Sequence, residues 1–210
     1  MKLLVLVLML GALAACPNYA TLQEADTLPA GATKFGVGAT GTYYKFRAID
    51  GSIDTFKVPA LNFWYRRGLT DVLEGHVSVW IPFGGSAGLK YQVTGNRQTA
   101  GFSFSFGIDL GALQITTTGD NDEESTTTIV DTYVPLYFGF RTGPGFAVYG
   151  SPKLILRTGF GEGETTFSQL AGGTAGIALG EKTTLHLEGT LMYDLDVEAP
   201  AAQVGVGVAF

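Results

Sequence analysis

Several residue types on which most soluble domains depend are scarce in this sequence. Charged residues make up only 15% of the 210 residues, where a soluble domain has about 25%. One cysteine and two histidines allow no internal disulfide and no zinc-ligand set. The net charge of −6 argues against nucleic-acid binding, which needs a basic surface. No apolar run after residue 15 is long enough for a membrane helix, and no cofactor site is predicted.

Glycine and alternating patterns are abundant instead. Glycine accounts for 30 of the 210 residues, about twice its ordinary share. Between residues 184 and 195, mostly polar residues alternate with mostly apolar ones, and the same pattern recurs at 102–110 and 203–210. A period of two is typical of β-strands that present different faces to different surroundings.

Applied along the chain, this pattern predicts ten strands and no helix. With an even number of antiparallel strands, the first strand begins and the last strand ends at the same end of the sheet. The connections at that end are predicted to be short, and those at the other end to be mostly longer and acidic, with the short segment 84–86 among them. We predict an all-β fold, a closed antiparallel up-and-down transmembrane barrel of about ten strands, with eight as the lower number. The predicted strands are 33–48, 57–67, 72–83, 87–94, 101–116, 128–141, 145–158, 166–179, 183–194 and 203–210.

The first residues have the layout of a secretory signal. Lys2 precedes an apolar stretch from Leu3 to Ala15 that is too short to span a bilayer. The stretch ends in Leu-Ala-Ala-Cys16, which resembles the lipobox of bacterial lipoproteins. This resemblance implies cleavage before Cys16, acylation of that cysteine and, since Pro17 stands where the inner-membrane retention Asp would be, export to the outer membrane. We predict a signal peptide at 1–15, a lipid-anchored linker at 16–31 and a barrel at 32–210.

Two further motifs support one family. The segment Tyr-Arg-Arg-Gly-Leu-Thr-Asp at 65–71 is similar to a turn found at the periplasmic ends of outer-membrane barrels. The chain thus resembles small bacterial outer-membrane β-barrel proteins of the lipoprotein kind. That family implies outer-membrane lipids and the barrel assembly machinery as partners, and an N-terminus anchored on the periplasmic side. The C-terminal assembly signal of the family is matched by Gln203, Gly205, Val208 and Phe210.

The same alternation also fits a soluble alternative. A lipid-anchored, lipocalin-like carrier would turn its apolar face inward and its polar face outward. Such a carrier would have a Gly-x-Trp on its first strand, where this chain reads GATKFGVGATGTYYKF. In the membrane case the sheet must close, because an open sheet in hydrocarbon leaves unpaired edge groups.

Polar residues on the predicted strands offer little chemistry. Glu74, His76 and Ser78 share one strand face and resemble the arrangement in outer-membrane lipid A deacylases. The same alternation, however, places ordinary polar residues in a lumen, so no catalysis is predicted. His186 and Glu188 are too few to form a metal site.

These residues predict a polar network that fills the lumen. A barrel of ten strands is only slightly wider than the eight-stranded kind, whose interior side chains fill. We therefore predict a structural or surface-interaction role, with a narrow passive channel for small solutes or ions as the alternative. The network is predicted to pair cations with carboxylates and to include both histidines: Lys90, Arg141, Lys153 and Arg157, Glu74, Asp109, Asp131 and Glu188, and His76 and His186.

Two surface features complete the prediction. Aromatic residues near strand ends suit the interfacial girdles of a membrane barrel. Acidic residues gather in the longer connections, where they form a solvated rim or bind divalent cations. The aromatic residues are Tyr43, Tyr44, Trp64, Tyr65, Trp80, Tyr91, Tyr133 and Tyr193, and the acidic ones Asp120, Asp122, Glu123, Glu124, Glu162, Glu164, Asp194, Asp196 and Glu198.

Overall fold

The computed structural model contains ten β-strands. It describes residues 18–47, 53–81, 84–95, 97, 99–118, 124–143, 145–161 and 164–210. No helix within these ranges is long and apolar enough to cross a membrane. The strands are β1 (Thr33–Arg47), β2 (Ile53–Gly68), β3 (Leu73–Ile81), β4 (Gly84–Thr94), β5 (Gly101–Thr118), β6 (Glu124–Gly143), β7 (Phe146–Gly161), β8 (Glu164–Leu179), β9 (Thr184–Asp194) and β10 (Ala199–Ala209).

Each strand pairs with its neighbours in sequence, and β1 pairs with β10, so the sheet closes into a barrel. All pairings are antiparallel, and Gly36 lies opposite Ala209 at the closing seam. The seam continues below this pair, where the backbone N–H of Phe210 donates to the carbonyl oxygen of Phe35 at 2.8 Å. The predicted up-and-down barrel of ten strands is therefore confirmed.

The barrel has two ends, which we call lower and upper. The lower end holds the start of β1, the end of β10 and the connections after β2, β4, β6 and β8, and the upper end holds the other connections. Several strands extend further upward than the sequence indicated, so that only two residues separate β3 from β4 and β7 from β8. The connection between β7 and β8, predicted as the longer segment 159–165, is therefore shorter than expected, whereas the one between β3 and β4 was already predicted to be short, at 84–86.

The outer and inner faces of the wall differ sharply in polarity. The outer face exposes large apolar side chains, including Leu191 at 70% and Val204 at 67% of their surface. The inner face buries charged groups instead, among them Arg66, Glu74 and Lys90. A lipocalin-like carrier requires the reverse arrangement, so the structure argues against that alternative.

The two tryptophans of the chain do not belong to an outer girdle as predicted. Trp64 and Trp80 are buried inside the barrel, whereas Tyr65 and Tyr91 are exposed on the outside. Trp64 lies across the wall at Gly36, where any added Cβ would collide with the indole ring. Glycine in β1 therefore makes room for a large ring in the lumen.

Candidate functional site

The lumen contains a part of the chain that the sequence did not place there. Residues 18–28, part of the segment 16–31 that was predicted as a linker, run inside the barrel, and residues 29–31 leave it at the lower end; we call residues 18–31 the plug. Near the lower end, the N–H of Gly31 donates to the carbonyl oxygen of Gly68 at 2.8 Å. From there the plug rises to Asn18, whose side-chain amide donates to Asn62 Oδ1 at 2.6 Å. The plug side chains buried in the lumen are Tyr19, Leu22, Gln23, Glu24, Ala25, Asp26, Thr27 and Leu28.

A charged group of wall residues surrounds the plug near the lower end. Arg66 forms two bonds to the Glu74 carboxylate, at 2.7 and 2.9 Å. Lys90 Nζ lies 3.2 Å from the same carboxylate, and all three side chains are nearly fully buried. Together with Arg97 and Arg141, these residues form what we call the lower cluster. Burial and the nearby Arg66 lower the pKa of Arg97 to about 10, so this turn residue remains cationic at neutral pH.

The plug brings two carboxylates to the lower cluster. Glu24 binds Arg141, and its other oxygen lies 3.0 Å from Arg97 Nη2. Asp26 lies 3.1 Å from Arg141 Nη2 and accepts a bond from the Ser103 hydroxyl. Because a buried charge without a partner is costly, the two plug carboxylates stabilise the cluster by offsetting most of the excess positive charge of the wall.

Higher in the lumen the plug is held by polar and apolar contacts. Lys153 Nζ donates to the carbonyl oxygen of Tyr19 at 2.7 Å and to Thr21 Oγ1 at 2.8 Å. The N–H of Thr21 donates to Glu188 at 2.8 Å. The ring of Tyr19 belongs to a buried apolar cluster that includes Ile155 and four other wall residues, Tyr133, Leu170, Met192 and Ala201.

A small cavity lies between the plug and the wall on the side of β2 to β7. The cavity has a volume of about 60 Å³ and is lined by plug residues, by both tryptophans and by polar wall residues. Its size corresponds to a few water molecules. Tryptophan fluorescence therefore reports directly on the boundary between plug and wall.

The predicted pairs of the lumen form only in part. Lys90 pairs with Glu74 as described, and Arg157 binds Asp131 through two bonds of 2.8 Å. Arg141 and Lys153 reach the plug. Asp109 lies 2.8 Å from His76 Nε2.

The hydrolase arrangement is not assembled in the described residues. Ser78 Oγ shares a 2.8 Å hydrogen bond with Ser86 Oγ, while His76 faces Asp109. Glu74 is occupied by Arg66 and Lys90. The structure thus gives Ser78 a partner that is not a base, and no step of catalysis follows from the geometry.

The other histidine lies beside aromatic rings. Tyr149 OH lies 3.3 Å from His186 Nδ1 and donates to Glu188 at 2.7 Å, and Trp64 packs edge-on against the imidazole. Among the described residues, no group of three or more His, Cys, Asp or Glu side chains could hold a metal ion.

The residues of the predicted assembly signal lie on β10 and just after it. Gln203 donates to Thr42 Oγ1 at 2.6 Å inside the barrel. A Cβ added to Gly205 would lie 3.6 Å from Leu22, so this glycine faces the plug. Val208 is half-buried, and Phe210 is exposed at the lower end.

The acidic rim is described only in part. Four of its predicted residues lie outside the described part of the chain: Asp120, Asp122, Glu123 and Glu162. The side chains of Glu124 and Glu164 are not described either, and the predicted lipidation residue Cys16 also lies outside the described residues. Asp194 is buried and accepts bonds from the N–H groups of residues 196 and 197 at 3.0 Å. Asp196 accepts a bond from the N–H of Gln169 at 2.7 Å, and Glu198 is exposed. Asp194 therefore stabilises a turn and is not part of an exposed rim.

Sequence reasoning missed the plug and Arg66. Arg66 lies within the motif at 65–71, which was interpreted as a turn, so its position on the inner face of β2 was not predicted. Its one signal was the alternation itself, because Arg66 lies two residues from the buried Trp64.

Comparisons with known proteins give structural neighbours only. No family model and no curated protein sequence matches this chain. The chain is similar to Ail, the attachment invasion locus protein of Yersinia pestis, solved with the heparin analogue sucrose octasulfate, with 12% identity, TM-score 0.47, 86% of this chain and 99% of that chain covered. It is also similar to Neisserial surface protein A, with 15% identity and a TM-score of 0.42, and the likeness covers 83% of this chain and 95% of that chain. The N-terminal β-barrel domain of Pseudomonas aeruginosa OprF is similar as well, with 14% identity and a TM-score of 0.40. The likeness covers 86% of this chain and 99% of that domain.

Proposed function

We propose that the protein is a β-barrel of the bacterial outer membrane whose lumen is closed by its own N-terminal segment. It acts through its outer surfaces and not as an open pore. The observation that carries this proposal is the polarity of the wall, with a charged interior around a buried plug and an apolar exterior. In water such an exterior is an aggregation liability, whereas in hydrocarbon it is the required face.

The orientation of the barrel follows from the sequence motifs. The turn at 65–71 is similar to periplasmic turns of this class, so the lower end faces the periplasm in our proposal. The plug then enters the lumen from the periplasmic side, and β10 with its C-terminal pattern is presented to the assembly machinery on that side.

Electrical recording tests closure directly. Protein with Cys16→Ser, which cannot be acylated, is expected to show no steady conductance in planar bilayers, because the plug and the pairs Arg66–Glu74 and Arg157–Asp131 fill the lumen. Heat-modifiable mobility on gels serves as the control that the inserted protein is folded. A stable open level for every inserted barrel would contradict the proposal and favour the narrow channel.

Acylation of Cys16 constrains the plug through chain length. Asn18 is bonded to Asn62, which lies six residues above Gly68 on β2. Six tilted strand residues rise about 15 Å, whereas two residues of chain reach at most ~7 Å. A lipid on Cys16 therefore cannot reach the lower membrane surface while Asn18 keeps its place.

We therefore propose that acylated chains are the unplugged ones. Cys16→Ser is expected to abolish labelling with radioactive palmitate. In a Gln23→Cys variant, residue 23 of palmitate-labelled chains is expected to react with a water-soluble maleimide and residue 23 of unlabelled chains to be protected, with the modified residue identified by peptide mapping because unlabelled chains keep a free thiol at Cys16. Equal palmitate labelling of the Cys16→Ser variant would exclude the lipobox, and protected residue 23 in acylated chains would exclude the link to the plug.

A further inference from the structure

The lower cluster binds the main chain of the plug as well as its side chains. Lys90 Nζ donates to the carbonyl oxygens of Glu24 and Asp26 at 3.0 and 3.1 Å. Ser105 donates to the carbonyl oxygen between them, that of Ala25, at 2.6 Å. Three successive carbonyl groups of the plug are thus bound by wall side chains.

Two successive N–H groups of the plug are also bound by wall side chains. The N–H of Thr27 donates to Gln92 Oε1 at 2.7 Å, and that of Leu28 donates to Glu74 Oε2 at 2.9 Å. None of these five main-chain groups depends on the identity of a plug side chain. Any peptide that follows the same path can make the same bonds.

Sequence preference enters through charge at two positions. The wall side of the lower cluster has four cations against the one carboxylate of Glu74, and the plug adds the carboxylates of Glu24 and Asp26. Bonds between ionised partners are about twice as strong as neutral ones. A peptide with carboxylates at both positions therefore fits this wall better than a neutral peptide of the same shape.

The cluster can also be reached from outside. Residues 29–31 are exposed at the lower end, and the Arg97 side chain retains 18% of its surface. The path that the chain takes into the lumen therefore begins at the surface of the lower end, where a second chain can enter once residues 24–28 leave.

We propose that the lower cluster is a peptide-binding site that selects two carboxylates one residue apart, and that residues 24–28 are its built-in occupant. An acidic segment of a partner protein replaces this occupant from the lower end. The proposal rests on the proposed function in one respect, since the occupant it displaces is the segment that closes the barrel.

A cut plug makes the site measurable in a complete, folded chain. A protease site is inserted between Ala30 and Gly31 and cut after the barrel has folded, so that residues 1–30 become a separate peptide. The cut segment is washed out, and binding of a synthetic peptide of residues 18–30, which contains no tryptophan, to the emptied barrel is followed through the fluorescence of Trp64 and Trp80. A peptide with Glu24→Gln and Asp26→Asn is expected to bind at least ~10-fold more weakly, because it loses its charged contacts with Arg97 and Arg141.

Two controls separate specific recognition from general attraction. A scrambled peptide of the same composition and charge is expected to bind at least ~10-fold more weakly as well, because its carboxylates and carbonyl groups no longer match the wall. Whole chains with Glu24→Gln and Asp26→Asn, cut in the same way, are expected to release their segment faster than the parent. Equal affinity for the acidic, amide and scrambled peptides, or equal release rates, would overturn the site. Neither result alters the conductance of the uncut barrel, which tests the proposed function separately.

Discussion

Deletion of residues 18–28 is expected to convert a barrel without steady conductance into an open channel that prefers anions. The deletion removes every plug side chain that is buried in the lumen, while residues 29–31 remain to seat the start of β1 against Gly68. Because Arg97 and Arg141 then lack the plug carboxylates, the lower lumen carries an excess of positive charge. Conductance in planar bilayers gives the opening, and the reversal potential in a salt gradient gives the selectivity.

The matched control keeps the length of the plug and changes its chemistry. Replacement of residues 18–28 by a Gly/Ser segment of equal length removes Glu24, Asp26 and the ring of Tyr19 but not the main chain. We expect this variant to open intermittently, because flexible chain still occupies the lumen without its charged anchors. If the deletion variant stays as closed as the parent, the wall pairs close the barrel by themselves and the plug has no part in closure.

Wall and plug differ in how far sequence predicts them. The strands follow from alternation, which operates over neighbouring residues, so that β1 is predicted at 33–48 and found at Thr33–Arg47. The same alternation places Lys90, Asp131 and Arg157 inside without any knowledge of their partners. These features depend on local pattern, and local pattern is what one sequence contains.

The plug depends on contacts between distant parts of the chain. Residues 18–31 are polar, contain a proline and have no sustained period, which is also the description of a linker. Their place in the lumen is set by residues far along the chain, such as Arg141 for Glu24 and Lys153 for Tyr19. One signal was present, since a wall with Arg66, Arg97 and Arg141 at one end has more cations than wall carboxylates.

Leu187→Arg is expected to lower the free energy of unfolding more than the same change at an exposed leucine outside the membrane-spanning part of the wall. Leu187 lies near the middle of β9 on the outer face and exposes 40% of its surface. At the midplane of a bilayer, arginine on the lipid face of a barrel costs ~2 to 4 kcal/mol. In water, the same change at an exposed leucine stays within about 0.5 kcal/mol. Urea unfolding of the barrel from liposomes measures the difference.

The matched control is Leu69→Arg in the lower connection. Leu69 exposes 49% of its surface, so the two substitutions are alike in residue types and similar in exposure and differ in height along the barrel. Near the interface the expected loss falls to about 0 to 1 kcal/mol, which makes Leu187→Arg the more damaging by at least ~1 kcal/mol in a membrane. Equal and small losses at both positions would mean that water surrounds the outer face, and the barrel would then not span a bilayer.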